Sequence, residues 1–296
     1  MNRLAAIVCA TIACAVCARL NPELVTWDDV STRPVPEAGY RVAYGEGALR
    51  FGDLRLPTGD GPFPLAVVIH GGCWRSEHDL GHISHLSSAL TKIGVATWTV
   101  EYRRVGDAGG GWTGTFDDVA AATDYARALA QRFPIDLSRV VLVGHSAGGH
   151  LALWVAARRN LPKGSPLSPG GPLVVRGVVS LAGISDLRAF SAGSAYCNAS
   201  VPPLLGGTVD AVPERYRQAS PIELMPLGVA LRLVHGALDP YVPVEQSRNL
   251  ADRARGLGDD VEITVLPAIG HFDLIAPWSA AWPAVERMVV EVLGAH

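Results

Sequence analysis

The stretch Val140-Val141-Leu142-Val143-Gly144-His145-Ser146-Ala147-Gly148-Gly149-His150-Leu151 reads as a buried apolar strand, a sharp turn and the start of an Ala/Leu-rich helix. Gly144 and Gly148 flank Ser146 in a G-x-S-x-G pattern, placed in the strand-to-helix context that the pattern requires. The two glycines are expected where backbones approach too closely for a Cβ. The serine between them is expected in a strained conformation that lifts its hydroxyl above the strand end. At the N-terminus of the following helix, free amide donors favour developing negative charge. Ser146 is therefore the candidate nucleophile.

Working outward, short Val-rich runs at 65–69, 95–100, 140–143, 174–181, 231–234 and 261–266 read as strands buried on both faces. The runs 41–44 and 49–56 read as an antiparallel pair ahead of them. Helix candidates at 83–93, 115–133, 147–159, 244–256 and 278–293 fall between or after the later strands. Strand then helix, repeated, predicts an α/β domain over 40–296 with a mostly parallel central sheet and helices on both faces. The interval 185–228 breaks the rhythm with several prolines and no strong strand. It is expected to form a small irregular cap over the carboxyl edge of the sheet, where such excursions shape binding sites.

A serine hydroxyl needs a base to take its proton and donors to hold an oxyanion. His271 lies in a loop just after the last strand candidate, and Asp239 just past the one before it. The chain order Ser146, Asp239, His271 gives nucleophile, orienting acid and base, with Asp273 as the fallback acid. His70-Gly71-Gly72-Cys73-Trp74 closes the strand 65–69, so the N–H groups of Gly72 and Cys73 are candidate oxyanion donors together with that of Ala147. Trp74 and Trp112 are candidate walls of a substrate pocket, with plain core burial as the alternative for each. Glu101-Tyr102-Arg103-Arg104, right after the strand 95–100, suggests an arginine–carboxylate pair bracing the site on the same sheet edge.

Other features point away from further chemistry. His78, His82 and His85 would stack on one side of a helix, but the Glu of an H-E-x-x-H zinc site is missing; they read as the exposed start of the helix running to residue 93, and no metal is expected. Gly109-Gly110-Gly111-Trp112 lacks the Lys-Ser/Thr pair of a phosphate loop and reads as a rim loop. His145 and His235 adjoin motif glycines and are expected to bond locally.

The 296 residues are 49% hydrophobic and 18% charged, enough for one large core. A formal net charge of -3 leaves no basic footprint for nucleic acid, so a small-molecule partner is expected and the oligomeric state stays open. Residues 1–18 place Arg3 before an uncharged run with small residues near its end, the pattern of a signal peptide, with 19–39 as an amino-terminal extension. The run is too short for a stable membrane span of roughly 30 Å. Export to the periplasm or medium is the expectation, with a lipid anchor on Cys14 or Cys17 as the alternative. That leaves Cys73 and Cys197 in the mature chain, read as two free, mostly buried thiols because sequence does not give their separation.

Taken together, His70-Gly71-Gly72-Cys73-Trp74, Gly144-His145-Ser146-Ala147-Gly148-Gly149, Asp239 and Gly270-His271 resemble the α/β-hydrolases of the kynurenine formamidase and feruloyl-esterase-like branch, related to the hormone-sensitive-lipase esterases. The resemblance covers roughly residues 40–293 and implies an α/β-hydrolase fold. It implies the same roles for Ser146, Asp239, His271, Gly72, Cys73 and Ala147, and no cofactor. Cys73 and Trp74 depart from the lipase-like esterases, which carry a further glycine and no tryptophan there, and an export signal sits badly with an intracellular formamidase. The expected activity is cleavage of carboxylic esters through an acyl-enzyme. An arylformamidase or small-peptide hydrolase with the same triad, and a catalytically silent binding protein on the same fold, are the alternatives.

Overall fold

The computed structural model describes residues 23–167 and 170–294. The expected signal peptide, and Cys14 and Cys17 within it, lie outside these residues. Eight strands form one sheet: β1 (Tyr40–Ala43), β2 (Phe51–Arg55), β3 (Phe63–Ile69), β4 (Ala96–Val100), β5 (Ile135–His145), β6 (Gly177–Leu181), β7 (Ala230–Gly236) and β8 (Val261–Leu266). Their order is β1-β2-β4-β3-β5-β6-β7-β8; β1 and β2 join antiparallel, and β3 to β8 run parallel. This is the α/β-hydrolase architecture that the resemblance implies.

Ten α-helices accompany the sheet among the described residues. They are α1 (Trp27–Ser31), α2 (Ser84–Lys92), α3 (Gly114–Asp124), α4 (Ala126–Ala130), α5 (Ala147–Ala157), α6 (Leu187–Ser191), α7 (Val201–Leu205), α8 (Pro213–Ala219), α9 (Glu245–Gly256) and α10 (Trp282–Leu293). Alternate residues of β3 feed opposite cores, as strand geometry requires: Leu65, Val67 and Ile69 pack with α3, α5 and α9, while Ala66 and Val68 pack with α1, α2 and α10. Both sheet faces are thereby covered, which is why the central strands are apolar without alternation.

Some boundaries move. The helix expected over 115–133 breaks at Tyr125 into α3 and α4. The strand expected from 174 begins at Gly177, and Val174 is exposed. The stretch 185–228 is the expected irregular excursion, built from α6, α7, α8 and two 3₁₀ turns. No helix among the described residues is long and apolar enough to cross a membrane.

The strand order reverses direction of growth at β3, with β4 on one side and β5 on the other. A crevice opens at such a switch point beyond the carboxyl ends of the strands. Ile69 of β3 stands beside Gly144 of β5, so the loop after β3 and Ser146 after β5 emerge side by side. Asp239 and His271 follow the neighbouring β7 and β8.

Candidate active site

Ser146 sits at φ 55°, ψ -122°, immediately before α5, the strained backbone expected of the turn. Crowding holds it there. A Cβ on Gly144 would lie 2.1 Å from the carbonyl oxygen of Gly148, and one on Gly148 would lie 2.1 Å from that of Ile69. The Ser146 N–H donates to the carbonyl of Leu181 at the end of β6. The turn is thus pinned to both neighbouring strands.

His271 is nearly buried, and its Nδ1 lies 2.6 Å from Oδ2 of Asp239. Oδ1 of Asp239 accepts from the N–H groups of Tyr241 and Val242 at 2.8 and 2.9 Å. Burial pushes this carboxyl upward, but the facing His271, its hydrogen bond and the Val242 amide together hold it below the usual Asp value. The carboxylate is therefore ionised at neutral pH and fixes the proton of His271 on Nδ1. That leaves Nε2 as the basic nitrogen. Ser146 and His271 line the same cavity of about 350 Å³. Among the described residues no hydrogen bond joins their side chains, a looseness usual before substrate closes a site.

Asp273, the fallback acid, faces elsewhere. Its Oδ2 accepts from the N–H groups of Gly270 and Val25, so it fastens the loop carrying His271 to the amino-terminal segment.

Gly72 and Cys73 line the cavity beside Ser146. Gly72 has φ 103°, and a Cβ there would meet the Cβ of His78 at 2.3 Å; only glycine fits. The N–H of Ala147, first in α5, has no acceptor within its own helix. Beneath this loop, Nε2 of His70 lies 3.1 Å from Glu101 Oε1, and the Arg104 guanidinium lies 3.1 Å from the same oxygen. The N–H of Leu80 donates to Oε2. The arginine of the expected brace is Arg104, whereas Arg103 pairs with Asp118, and Glu101 ties the loop to the turn that carries His82. Burial works against the Glu101 charge, yet His70, Arg104 and the Tyr102 amide hold its carboxyl below the usual Glu value.

Three expectations need correction. Cys73 and Cys197 are not free thiols: they form a disulfide, with Cα atoms 5.1 Å apart. Sequence could not place them together because 124 residues separate them and the bridge depends on how the excursion folds back. Trp74 and Trp112 do not line the cavity. Trp74 is fully buried, donating its indole N–H to Nδ1 of His150, and Trp112 packs against Phe116 and beneath Arg215. Finally, His82 is not on an exposed helix start; it is buried, its Nε2 2.9 Å from Nδ1 of His145. Nε2 of His145 in turn reaches the carbonyl of His271 at 3.1 Å. Burial drives both rings well below the ordinary His value, so both are neutral. His85 turns instead to Trp278. No cluster of three or more His, Cys, Asp or Glu among the described residues is placed to hold a metal ion.

The remaining walls are residues that sequence reasoning did not place there: Trp27, His78, His82, Tyr196, Cys197, Tyr241 and Phe272. Tyr241 and Phe272 stand beside the candidate acid and base in the chain, a usable signal. Trp27 and Tyr196 carry none, as they arrive from the amino-terminal segment and the excursion. Among the described residues, no Asp, Glu, Lys or Arg lines the cavity. Burial also lowers the His78 value, so this wall adds no cation at neutral pH.

Residues 53–254, more than half of the chain, match the family model BD-FAE. The chain is 29% identical to esterase LipC of Mycobacterium tuberculosis over 245 residues, covering 79% of this chain and 60% of LipC. It therefore spans less than two thirds of that relative. Kynurenine formamidase of Drosophila melanogaster is 23% identical over 236 residues, covering 78% of this chain and 74% of that protein. A truncated carbohydrate esterase from gut microbiota superposes with a TM-score of 0.75 at 21% identity, covering 86% of this chain and 95% of that structure. At that identity the likeness is one of fold.

Proposed function

The chain belongs to the BD-FAE family, and from that premise we propose that it is a serine hydrolase cleaving carboxylic esters of small, uncharged substrates through an acyl-enzyme. The observation that carries the reading is the pairing of His271 with buried Asp239 on the wall of the cavity that also holds Ser146. Ser146 Oγ attacks the ester carbonyl while His271 Nε2 takes its proton. The oxyanion is held by the N–H groups of Ala147, Gly72 and Cys73. Collapse breaks the bond to the alkoxy oxygen, which leaves with the proton from His271. Water then attacks the acyl-enzyme by the same route, releasing the acid and restoring Ser146.

The uncharged lining favours esters over ionised substrates, because a buried charge without a partner is costly. A formamide carried on the aryl amine of an amino acid would bring a free ammonium and a carboxylate against described walls that offer neither a counter-ion. Likeness to LipC, an esterase, supports the same choice. Export to an oxidising compartment fits the reading too, since disulfides such as Cys73–Cys197 persist there.

The test is a fluorophosphonate with adduct mapping, run beside hydrolysis of p-nitrophenyl acetate, an aryl formamide and an aminoacyl anilide. Labelling confined to Ser146, lost in Ser146→Ala together with ester turnover, is the expected result. No label on Ser146, or faster formamide than ester cleavage, overturns it.

A further inference from the structure

The five-residue helix α1 precedes β1 and lies outside the matched residues 53–254. It is capped internally and fastened to the rest of the chain at three points. Thr26 and Asp29 form a reciprocal capping box. The N–H of Val25 donates to Asp273, whose other bond holds Gly270 next to His271. Val30 is buried in the core with Ile83 and Leu274, and the Arg33 guanidinium lies 4.0 Å from the Trp278 ring centre. These fastenings bury one aliphatic side chain of the helix. The largest side chain, Trp27, is half-buried and faces the cavity, its ring centre 5.1 Å from His78, 5.2 Å from His82 and 5.7 Å from Phe272.

We propose that Trp27 is a specificity-determining wall: the amino-terminal segment holds its indole against the cavity and thereby sets the upper size of the ester admitted. The inference rests on the serine-hydrolase reading above. The cavity, at about 350 Å³ with Trp27 in place, is near the lower end of the roughly 300–1,000 Å³ usual for small-molecule sites, so removing an indole from its wall would enlarge it substantially. Because Trp27 is only half-buried, shortening it extends the cavity outward and does not leave a sealed void. Larger substrates then gain space while the smallest lose little.

The experiment uses the full chain and its Trp27→Ala, Trp27→Leu and Trp27→Phe variants, with p-nitrophenyl esters of two, four, eight and twelve carbons and a matching set of acetates of larger alcohols. Alkyl fluorophosphonates of the same lengths report on Ser146 independently of turnover. The expected result is a rise of about tenfold or more in the long-to-short ratio of kcat/KM in Trp27→Ala, along one of the two series, with Leu and Phe in between; a single methylene is worth about 10- to 200-fold in an apolar pocket. Unchanged ratios in both series, or a uniform loss across all lengths, overturn the proposal while Ser146 labelling persists. If wild-type Ser146 takes no label, the serine-hydrolase reading falls and this inference with it. Should Trp27→Ala lose its folded circular dichroism, the Leu and Phe variants decide on the same ratio.

Discussion

His271 and Asp239, 32 residues apart in the chain, meet through a 2.6 Å contact between Nδ1 and Oδ2, both side chains almost fully buried. The acid is committed to that partner, since its other oxygen is taken by two backbone amides. Asp239→Asn should keep the shape but remove the acceptor that fixes the imidazole tautomer. The expected loss in kcat/KM is about 10³- to 10⁴-fold, read with p-nitrophenyl acetate at pH 7 to 8. Asp273→Asn, which touches only amides of Gly270 and Val25, should lose far less. A reversed ranking would return the role to Asp273.

The Cys73–Cys197 bridge joins the loop of the candidate oxyanion donors to the excursion that supplies Tyr196. Cys197→Ser should lower stability by about 2–5 kcal/mol, the range for removing a native disulfide, measured by urea unfolding. It should also lower kcat more than it changes the fold by far-UV circular dichroism, because Cys73 loses its tether. Equal stability and kcat in the variant would show the bridge to be dispensable.

Gly144 offers a test of the turn itself. A methyl group there would press on the Gly148 carbonyl at 2.1 Å, and backbone on both sides is fixed by strand pairing and by α5. Gly144→Ala is expected to cost about 3 kcal/mol or more, whereas Gly256→Ala, with open space around it, should stay within about 1 kcal/mol. Thermal melts of the two variants side by side check the contrast.

Acid should weaken the fold through His150. Its Nδ1 accepts the Trp74 indole N–H and its Nε2 donates to the Ala219 carbonyl, an arrangement only the neutral ring can make. Burial, opposed by the Ala219 bond, lowers its pKa from 6.5 to about 4. Above pH 6.5 both folded and unfolded chains hold the ring neutral, and its contribution is complete. Between about 6.5 and 4 the unfolded chain binds a proton that the folded chain refuses, so stability falls with pH, by about 3 kcal/mol for this ring alone. His82 and His145, also lowered by burial, act with the same sign. His150→Gln should flatten the dependence of Tm on pH across this range; an unchanged slope would assign the acid sensitivity elsewhere.

Local signals in the chain were enough to read the framework and to nominate the three candidate side chains. Val-rich runs form buried strands wherever both sheet faces are covered, and the Gly-x-Ser-x-Gly turn announces its own crowding. Asp239 and His271 follow strand candidates in the order that places them on one sheet edge. The cavity's lining, by contrast, emerges only on folding. Trp27, Tyr196 and the Cys73–Cys197 bridge come from segments without strand or helix periodicity, brought in by contacts between residues far apart in the chain. For Trp74 the sequence left wall and core both open; it is core, its indole turned inward to His150, 76 residues away in the chain. His82 looked exposed and is buried, because the partner of its Nε2, His145, lies 63 residues away. Local pattern fixes elements and their order; which side chains face one another across a loop is set by long-range packing, and so is the shape of the pocket.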